Sequence, residues 1–271
     1  METKIVSFCN QKGGVGKTTT TALVAYNLAK EGYRVLVIDF DPQSNMTSMM
    51  LKTKSHESDD VVTIDNTLMT AIKNNENLNK ATIKIMRDLY LLPNAVDFSL
   101  YGRFLEANFS NEKDKIQFFS KKINKELRGE YDYIFIDVPP TMSLPNDTVF
   151  YACDDIIIIL QTQQYALDGA QTLVDYIQHT IIDFFDSDVD VIGVLPVLSA
   201  KKSSVDQSIL ARAKEKWGDN VFEHHIMLME RAKRMGITGI TDGKRDAWDK
   251  TTHEKYKAVA DEMVQKIKEN D

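Results

Sequence analysis

Apolar and polar positions alternate in blocks along the first forty residues. Lys4–Cys9 and Arg34–Asp39 are runs of strand length that are largely apolar. Between them, Thr18–Lys30 places alanine and leucine at helical spacing, and Gly32 stands where a helix C-cap is expected. A strand, a glycine loop, a helix and a second strand form a βαβ unit, which predicts a parallel sheet with both faces covered.

Later blocks extend this pattern. Three further apolar runs fit the same sheet, and they are Tyr131–Asp137, Asp155–Leu160 and Val189–Leu195. Helical segments separate them, notably Tyr165–Asp183, and the charged stretch 103–128 predicts one or two surface helices. Lys52–Asn66 is polar and aperiodic, which predicts an exposed connection. We therefore expect an α/β fold, with a mostly parallel twisted sheet flanked by helices on both faces.

The final predicted helix, Glu254–Lys268, carries an apolar stripe. Its members are Tyr256, Val259, Ala260, Met263, Val264 and Ile267. A helix that lies on a membrane surface has a similar stripe, but this one lacks Trp, Phe and Leu, and the chain closes with Glu-Asn-Asp. The stripe therefore predicts a helix packed on the body of the protein.

Composition sets outer limits on the function. Apolar residues make up 43% of the 271 positions and charged residues 27%, with a formal net charge of −7, as in a soluble globular protein. No run is apolar for long enough to span a bilayer, and the N-terminus has no room for a secretory signal, so we expect a cytoplasmic protein. Cys9 and Cys153 lack metal-ligand or disulfide spacing and are predicted to be buried, inert thiols. No repeat, linker or break in composition is found, which predicts a single domain over residues 1–271.

The sequence NQKGGVGKTT, directly after the first strand, contains the parts of a phosphate-binding loop. Gly13, Gly14 and Gly16 let backbone N–H groups wrap phosphates at a helix N-terminus. Lys17 is placed to reach the β- and γ-phosphate oxygens, and the Thr18 hydroxyl is placed to bind Mg²⁺. The loop therefore predicts a nucleoside triphosphate site.

Three aspartates end predicted strands near this loop. Asp39 and Asp41 lie two positions apart, so on an extended backbone they point to one side while Phe40 points to the other. Asp137 ends an apolar run, as a Walker B aspartate does. Because α/β sheets bind ligands at the carboxyl ends of their strands, these residues predict a magnesium site beside the loop.

The segments KGGVGKTT, VLVIDFDPQSN and YDYIFIDVPP resemble the deviant Walker A, Walker A′ and Walker B segments of ParA/Soj-type partition ATPases. The resemblance weakens between about residues 52 and 130 and returns with LQTQQYALDGAQTL and VIGVLPVLSAKK. The DPQ and QYALDG segments narrow it to the partition branch of the class. The resemblance implies a P-loop ATPase of low basal rate that uses ATP and Mg²⁺.

The resemblance also explains why the loop contains Lys12 in addition to Lys17. The alternative interpretation is that Lys12 is a solvated loop lysine. Gln11 stands where the strict P-loop pattern has its first glycine, and Lys12 follows it. In the family, this early lysine contacts the phosphates bound by the other subunit of a dimer. Lys12 would then act on the partner's ATP, whereas Lys17 acts on its own. The residues that correspond to the family's nucleotide loop are Lys12, Gly13, Gly14, Val15, Gly16, Lys17, Thr18 and Thr19.

Catalytic and metal roles carry over from the same family. Asp41 matches the aspartate that positions the attacking water. Asp39 and Asp137 match positions of the magnesium shell, with Thr18 as a direct ligand. Thr19 would help to hold the α-phosphate. These assignments give Lys12, Lys17 and Asp41 as the expected catalytic residues.

Partners are implied by the resemblance as well. Partition ATPases of this type bind DNA without sequence preference as ATP dimers, and a ParB-like centromere-binding protein stimulates hydrolysis and releases them. Such a protein is associated with the nucleoid and moves plasmid or chromosome cargo. Residues 201–245 contain ten basic and six acidic residues, a formal charge of +4. Lys202 lies closest to a DNA-binding arginine of the family, and Arg231 is the second candidate.

Two departures from the family pattern limit what it implies. Ile226–Met229 replaces an Ile-Pro-x-Asn segment near the adenine, which leaves the base contacts open. The loop begins almost at once, so no N-terminal helix-turn-helix extension is expected.

Other nucleotide-dependent proteins are the alternatives to a partition ATPase. A MinD-like membrane-cycling ATPase has both lysines but would need a basic, bulky amphipathic tail. An iron-protein reductase would need cluster cysteines, and a biotin-pathway synthetase lacks the DPQ segment. A binding switch with negligible turnover would differ in its basal ATPase activity.

Overall fold

The structure is a computed structural model, and it describes residues 2–57, 63–163, 165–198, 203–227, 230–242 and 247–270. Within these ranges the strands are β1 Lys4–Cys9, β2 Val35–Asp39, β3 Ile83–Met86, β4 Leu89–Leu92, β5 Tyr133–Asp137, β6 Asp155–Gln161, β7 Asp190–Leu198 and β8 Ile226–Met227. They form one sheet in the order β3-β4-β2-β5-β1-β6-β7-β8. Among the described residues only β3 pairs antiparallel with its neighbour, so the expected mostly parallel sheet is confirmed.

Helices connect these strands. They are α1 Lys17–Lys30, α2 Asn45–Glu57, α3 Leu68–Lys73, α4 Tyr101–Asn108, α5 Glu112–Glu126, α6 Leu144–Ala152, α7 Ala166–Tyr176, α8 Ser204–Trp217, α9 Glu230–Thr238 and α10 Ala247–Asn270. A π-helix over Ile177–Phe184 continues α7, and short 3₁₀ turns cover Leu78–Ala81, Val96–Leu100 and Gly218–Asn220. The surface helices expected within 103–128 are confirmed as α4 and α5.

The core has two layers, one on each face of the sheet. Helices α3 to α8 contribute to the first layer, whereas α1, α2, α9 and α10 contribute to the second. Strand β6 shows why a central strand is apolar throughout. Ile156 and Ile158 pack in the first layer and Ile157 and Ile159 in the second, and all four side chains are fully buried.

The C-terminal helix α10 packs against α1, as its apolar stripe predicts. The stripe residues Tyr256, Val259 and Met263 are almost completely buried in the second core layer. Over the described residues, no helix has both the length and the apolar character that crossing a bilayer requires. Both cysteines are buried, as expected.

One expectation was wrong. Lys52–Asn66 does not begin as an exposed connection, because α2 continues through Glu57. Helix α2 buries Met46, Met49 and Met50 against the sheet, and the polar residues that follow them extend the same helix. Residues 58–62 lie outside the described residues.

The contact between α2 and the end of α9 closes one side of the second layer, and it depends on Gly239. This residue has a φ of +88°, and a Cβ atom there would lie 2.6 Å from backbone atoms of Lys52 and Thr53. The backbone N–H of Ile240 donates to the Thr53 hydroxyl at 2.8 Å. The two segments therefore meet backbone to backbone.

We expect Gly239→Ala to lower the free energy of unfolding by about 2–4 kcal/mol, because the left-handed backbone and the overlap with α2 are both costly. Gly169→Ala, in α7, is the matched control, since a Cβ there meets no atom within 4 Å. Denaturant unfolding of both variants measures the difference. Equal stability of the two variants would contradict the close contact at Gly239.

Candidate nucleotide-binding site

The glycine loop between β1 and α1 has the backbone geometry of an anion cradle. Gly14 and Gly16 have φ values of 72° and 94°, a region that residues with a Cβ atom rarely adopt. Gly16 is the N-cap of α1, and it caps the helix without a side-chain hydrogen bond. The first turn of α1 also has no acidic residue. The N-terminal N–H groups and the helix dipole of α1 therefore remain available for an anion.

Lys17 lies inside this cradle. Its side chain is buried, and its ammonium donates to the backbone carbonyl of Lys12 at 3.3 Å. Burial lowers the pKa of Lys17, whereas the nearby charge of Asp137 opposes the shift. A buried cation held at the centre of the loop is placed to meet phosphate oxygens.

Lys12 lies at the front of the loop and is exposed. Its backbone N–H donates to the Asn10 side chain at 2.6 Å, and Asn10 in turn donates to the carbonyl of Ile159 in β6. These contacts fix the front of the loop to the neighbouring strand. The Lys12 ammonium donates to the side-chain oxygen of Gln163. The two lysines of the loop thus occupy different environments, one inside the cradle and one on its outer side.

Asp39 and Asp137 are direct register partners at the carboxyl ends of β2 and β5. Both are fully buried. Among the residues that the structure describes, neither carboxylate oxygen of Asp137 has a hydrogen-bond partner. Burial, followed by the negative charge of Asp39, raises the pKa of Asp137 to about 8. The Thr18 hydroxyl lies close enough to Asp137 to oppose this rise in its pKa. A buried carboxylate with so few donors, next to a hydroxyl and a phosphate cradle, fits a divalent cation such as Mg²⁺.

Asp39 has a different environment from Asp137. One of its oxygens accepts from the Asp41 N–H at 3.1 Å, and the other accepts from the Thr47 N–H at 2.8 Å and the Thr47 hydroxyl at 2.7 Å. Burial raises the pKa of Asp39 to about 6, although these hydrogen bonds oppose the shift. Asp39 therefore fixes the segment that follows β2, and its place in a magnesium shell stays a prediction.

Asp41 and Phe40 point in opposite directions, as the spacing predicts. Phe40 is fully buried, with ring centroids 4.5 Å from Phe98 and 4.8 Å from Phe119. Asp41 is partly exposed and lines the cavity beside the loop. One of its carboxylate oxygens accepts from the Gln43 N–H at 2.9 Å. The aromatic contacts of Phe40 thus anchor the chain on one side of the sheet edge and leave Asp41 at the mouth of the site.

The loop after β5 borders the cradle. A Cβ atom at Gly13 would lie 3.8 Å from Cγ of Pro140. Asn146, almost fully buried, donates to the carbonyls of Pro139 at 2.9 Å and Thr141 at 2.6 Å. These hydrogen bonds hold the loop beside the front of the cradle.

The cradle opens into a cavity of about 660 Å³, a size typical of small-molecule sites. Its lining includes the loop residues Gly13, Gly14, Gly16, Lys17, Thr18 and Thr19. Val15, by contrast, has a fully buried side chain in the second core layer. The opposite wall comes from α9, through Ala232, Gly236 and Ile237, and from β8, through Ile226 and Met227.

The α9 wall was not predicted. Ile226 and Met227 belong to the segment that replaces the adenine-proximal motif of the family, and Leu228 and Met229 lie outside the described residues.

The structure describes only one of the two candidate DNA contacts. Lys202 lies outside the described residues. Arg231 forms a partly buried ion pair with Asp249 and donates to the Thr241 hydroxyl at 3.0 Å. Its proposed contact with DNA stays a prediction, and the ion pair gives it a structural role as well.

The comparisons with known proteins agree with the geometry of the site. Residues 3–191 match a family model described as an AAA domain. Over 219 residues the chain is 28% identical to the chromosome-partitioning ATPase Soj of Treponema pallidum, and the match covers 81% of each chain. The chain belongs to the ParA/Soj-type ATPases of the MinD/ParA superfamily. The resemblance found in the sequence is therefore confirmed.

Further relatives of this ParA/Soj-type chain cover nearly its whole length. It is 31% identical over 279 residues to an uncharacterized protein of Pseudomonas putida, covering 97% of this chain and 95% of that one. Its fold also matches cobyrinic acid a,c-diamide synthase from Mycobacterium smegmatis with bound ATP analog and magnesium, with a TM-score of 0.79. That match has 22% identity and covers 99% and 97% of the two chains, so it supports the fold alone.

Proposed function

We propose that this ParA/Soj-type ATPase is a nucleotide switch for DNA partition. In this proposal Mg-ATP drives homodimerisation, and the dimer binds DNA without sequence preference in the nucleoid. Slow hydrolysis, stimulated by a ParB-like centromere-binding protein, then releases it. The name of the Treponema pallidum relative, a chromosome-partitioning ATPase, supports this cargo-moving function.

The position of Lys12 carries the proposal. Lys17 already supplies a buried cation inside the cradle, so the exposed Lys12 is not needed for the same task. A cation on the outer side of the loop is placed to meet the phosphates of a second copy. Two bound triphosphates that face each other repel, and a lysine from each copy offsets that repulsion. Pairing of the copies would then depend on bound ATP.

The residues of the site fit ATP and Mg²⁺. Asp137 and the Thr18 hydroxyl would hold the metal, with Asp39 beside Asp137 on the neighbouring strand. When bound, magnesium neutralises charge on the β- and γ-phosphates. Asp41, at the mouth of the cavity, would orient the attacking water, and Lys12 and Lys17 would stabilise the negative charge that develops on the phosphoryl oxygens.

Exposed basic residues on α8 support the DNA-binding step. Arg212, Lys214 and Lys216 are all exposed in a chain whose net charge is −7. A local basic surface is sufficient to contact phosphates, since binding depends on the potential of the patch. The packing of the α10 stripe against α1 favours DNA over a membrane surface as the second ligand.

Retention on DNA with ATP, ADP or no nucleotide tests the proposal. We expect retention only with ATP, and a fall of at least about tenfold between about 50 and 200 mM salt, because phosphate contacts release counterions. The double variant Arg212→Glu with Lys216→Glu should be retained on DNA more weakly than the parent protein when ATP is present. The matched control is Lys113→Glu with Lys125→Glu, which reverses two exposed charges on α5. Equal retention in all three nucleotide states would contradict the switch.

A further inference from the structure

The backbone of Asp41 is held by three hydrogen bonds, one of which comes from a distant part of the chain. Its N–H donates to Asp39, and its carbonyl accepts from the Asn94 side-chain amide at 3.2 Å and from the Ser44 N–H at 2.8 Å. Asn94 lies in the loop after β4, 53 residues from Asp41. The residue at the mouth of the site is thus fixed at both its backbone N–H and its backbone carbonyl.

Thr47 connects these supports into one network. Its hydroxyl donates to Asp39 at 2.7 Å and accepts from the Asn94 N–H at 2.9 Å. Thr47 is 3% exposed and Asn94 is 1% exposed. Three segments, the end of β2, the first turn of α2 and the loop after β4, therefore meet through buried hydrogen bonds around Asp41. Buried polar groups of this kind keep their hydrogen bonds, because a buried donor or acceptor left without a partner would be costly.

Neither Thr47 nor Asn94 lines the nucleotide cavity. Their contacts lead to Asp39 and to the main chain of Asp41, whose carboxylate stays partly exposed. A displacement of this carboxylate would disturb the alignment of an attacking water without removing any contact to the nucleotide. A network with these properties affects the rate of reaction more than the binding of substrate.

We infer that Thr47 and Asn94 are positioning residues that hold Asp41 in the geometry required for water activation. The inference rests on the proposed ATPase role of Asp41. Thr47 acts by fixing Asp39 and Asn94, and Asn94 acts directly on the Asp41 carbonyl. Phe40, buried on the opposite side of the chain, completes the support.

Steady-state ATP hydrolysis by Thr47→Val, Thr47→Ser and Asn94→Ala tests the inference. Valine keeps the shape of threonine but removes the hydroxyl, whereas serine keeps the hydroxyl. We expect Thr47→Val and Asn94→Ala to lower kcat by about tenfold or more, with KM and the Kd of a fluorescent ATP analogue changed by less than about threefold. Thr47→Ser should recover most of the lost kcat.

Thr148→Val is the matched control for loss of a buried hydroxyl. Thr148 is fully buried, and its hydroxyl contacts the Pro145 carbonyl at 2.7 Å and the Tyr101 hydroxyl at 3.3 Å, away from Asp41. Its kcat should stay within about twofold of the parent protein. Thermal unfolding of each variant, followed with and without ATP, shows whether the fold is retained.

Asp41→Ala, assayed in parallel, separates the ATPase role of Asp41 from the positioning role of Thr47 and Asn94. If Asp41→Ala abolishes turnover and Thr47→Val does not lower kcat, the positioning network is wrong and the ATPase role stands. If Asp41→Ala leaves turnover unchanged, the proposed ATPase role of Asp41 is wrong, and the positioning inference that rests on it is overturned as well. A loss of ATP affinity equal to the loss of kcat in Thr47→Val would also overturn the inference, since it indicates a general structural role.

Discussion

Lys12→Ala is expected to abolish ATP-dependent pairing while leaving ATP binding nearly intact. The parent chain, of 30.8 kDa, should double its molar mass by light scattering when Mg-ATP is added. The variant should stay monomeric, because the facing triphosphates would repel without the exposed lysine. Its affinity for ATP should change by less than about threefold, since Lys17 still occupies the cradle, whereas turnover should fall by about 100-fold or more.

Lys80→Ala is the control for this result. Lys80 is an exposed lysine at the end of a 3₁₀ turn, away from the glycine loop. Its removal should leave pairing and turnover unchanged. Normal pairing of Lys12→Ala with ATP would contradict the role assigned to Lys12.

Asp41→Ala is expected to abolish ATP hydrolysis while leaving ATP binding and pairing intact. The variant should bind ATP and pair, because Lys12, Lys17 and Asp137 are unchanged. Hydrolysis should fall by about 100-fold or more, since no other carboxylate at the mouth of the site is partly exposed and held beside the cavity in the described structure. Single-turnover hydrolysis of radiolabelled ATP measures the chemical step directly.

Asp41→Asn distinguishes charge from shape in this prediction. The amide oxygen can still accept from the Gln43 N–H, so the local turn is preserved. We expect this variant to be nearly as slow as Asp41→Ala. Asp114→Ala removes an exposed carboxylate on α5 and should hydrolyse ATP at the parent rate. Unchanged hydrolysis by both Asp41 variants would remove this residue from the mechanism.

The glycine loop and its carboxylates could be predicted because the residues that form them are close in sequence or follow a simple rule of sheet geometry. β1 has the predicted bounds Lys4–Cys9, and the loop and α1 follow directly. Asp39 and Asp137 are far apart in sequence, yet parallel strands bring their carboxyl ends together, and the register confirms that they are neighbours.

The second half of helix α2 could not be predicted from its own residues. Lys52–Glu57 is polar and shows no helical apolar spacing. The helix is held instead at its first turn by Thr47, which contacts Asp39, and by three buried methionines. Strands β3 and β4 were missed for a related reason, since each has only four residues and is defined by its pairing.

The far wall of the cavity and the supports of Asp41 depend on contacts between distant segments. The hydrogen bond from Ile240, after α9, to Thr53 of α2 spans 187 residues, and that of Asn94 with Asp41 spans 53. Asn94 lies in the part of the chain where the family resemblance is weakest. A buried asparagine and a buried threonine also have no pattern that separates them from ordinary loop and helix residues. Only the three-dimensional arrangement shows what they hold.

Mixing two inactive variants shows whether Lys12 acts on the nucleotide of a second copy. Lys12→Ala retains Asp41, and Asp41→Ala retains Lys12. A mixed dimer keeps one Lys12 to offset the repulsion between the triphosphates, and it contains one complete site if Lys12 acts across the interface. We therefore expect ATP hydrolysis to reappear when the two variants are mixed, at a rate that rises with the concentration of either one. A mixture that hydrolyses ATP no faster than the sum of its separate components would contradict the action of Lys12 across the interface.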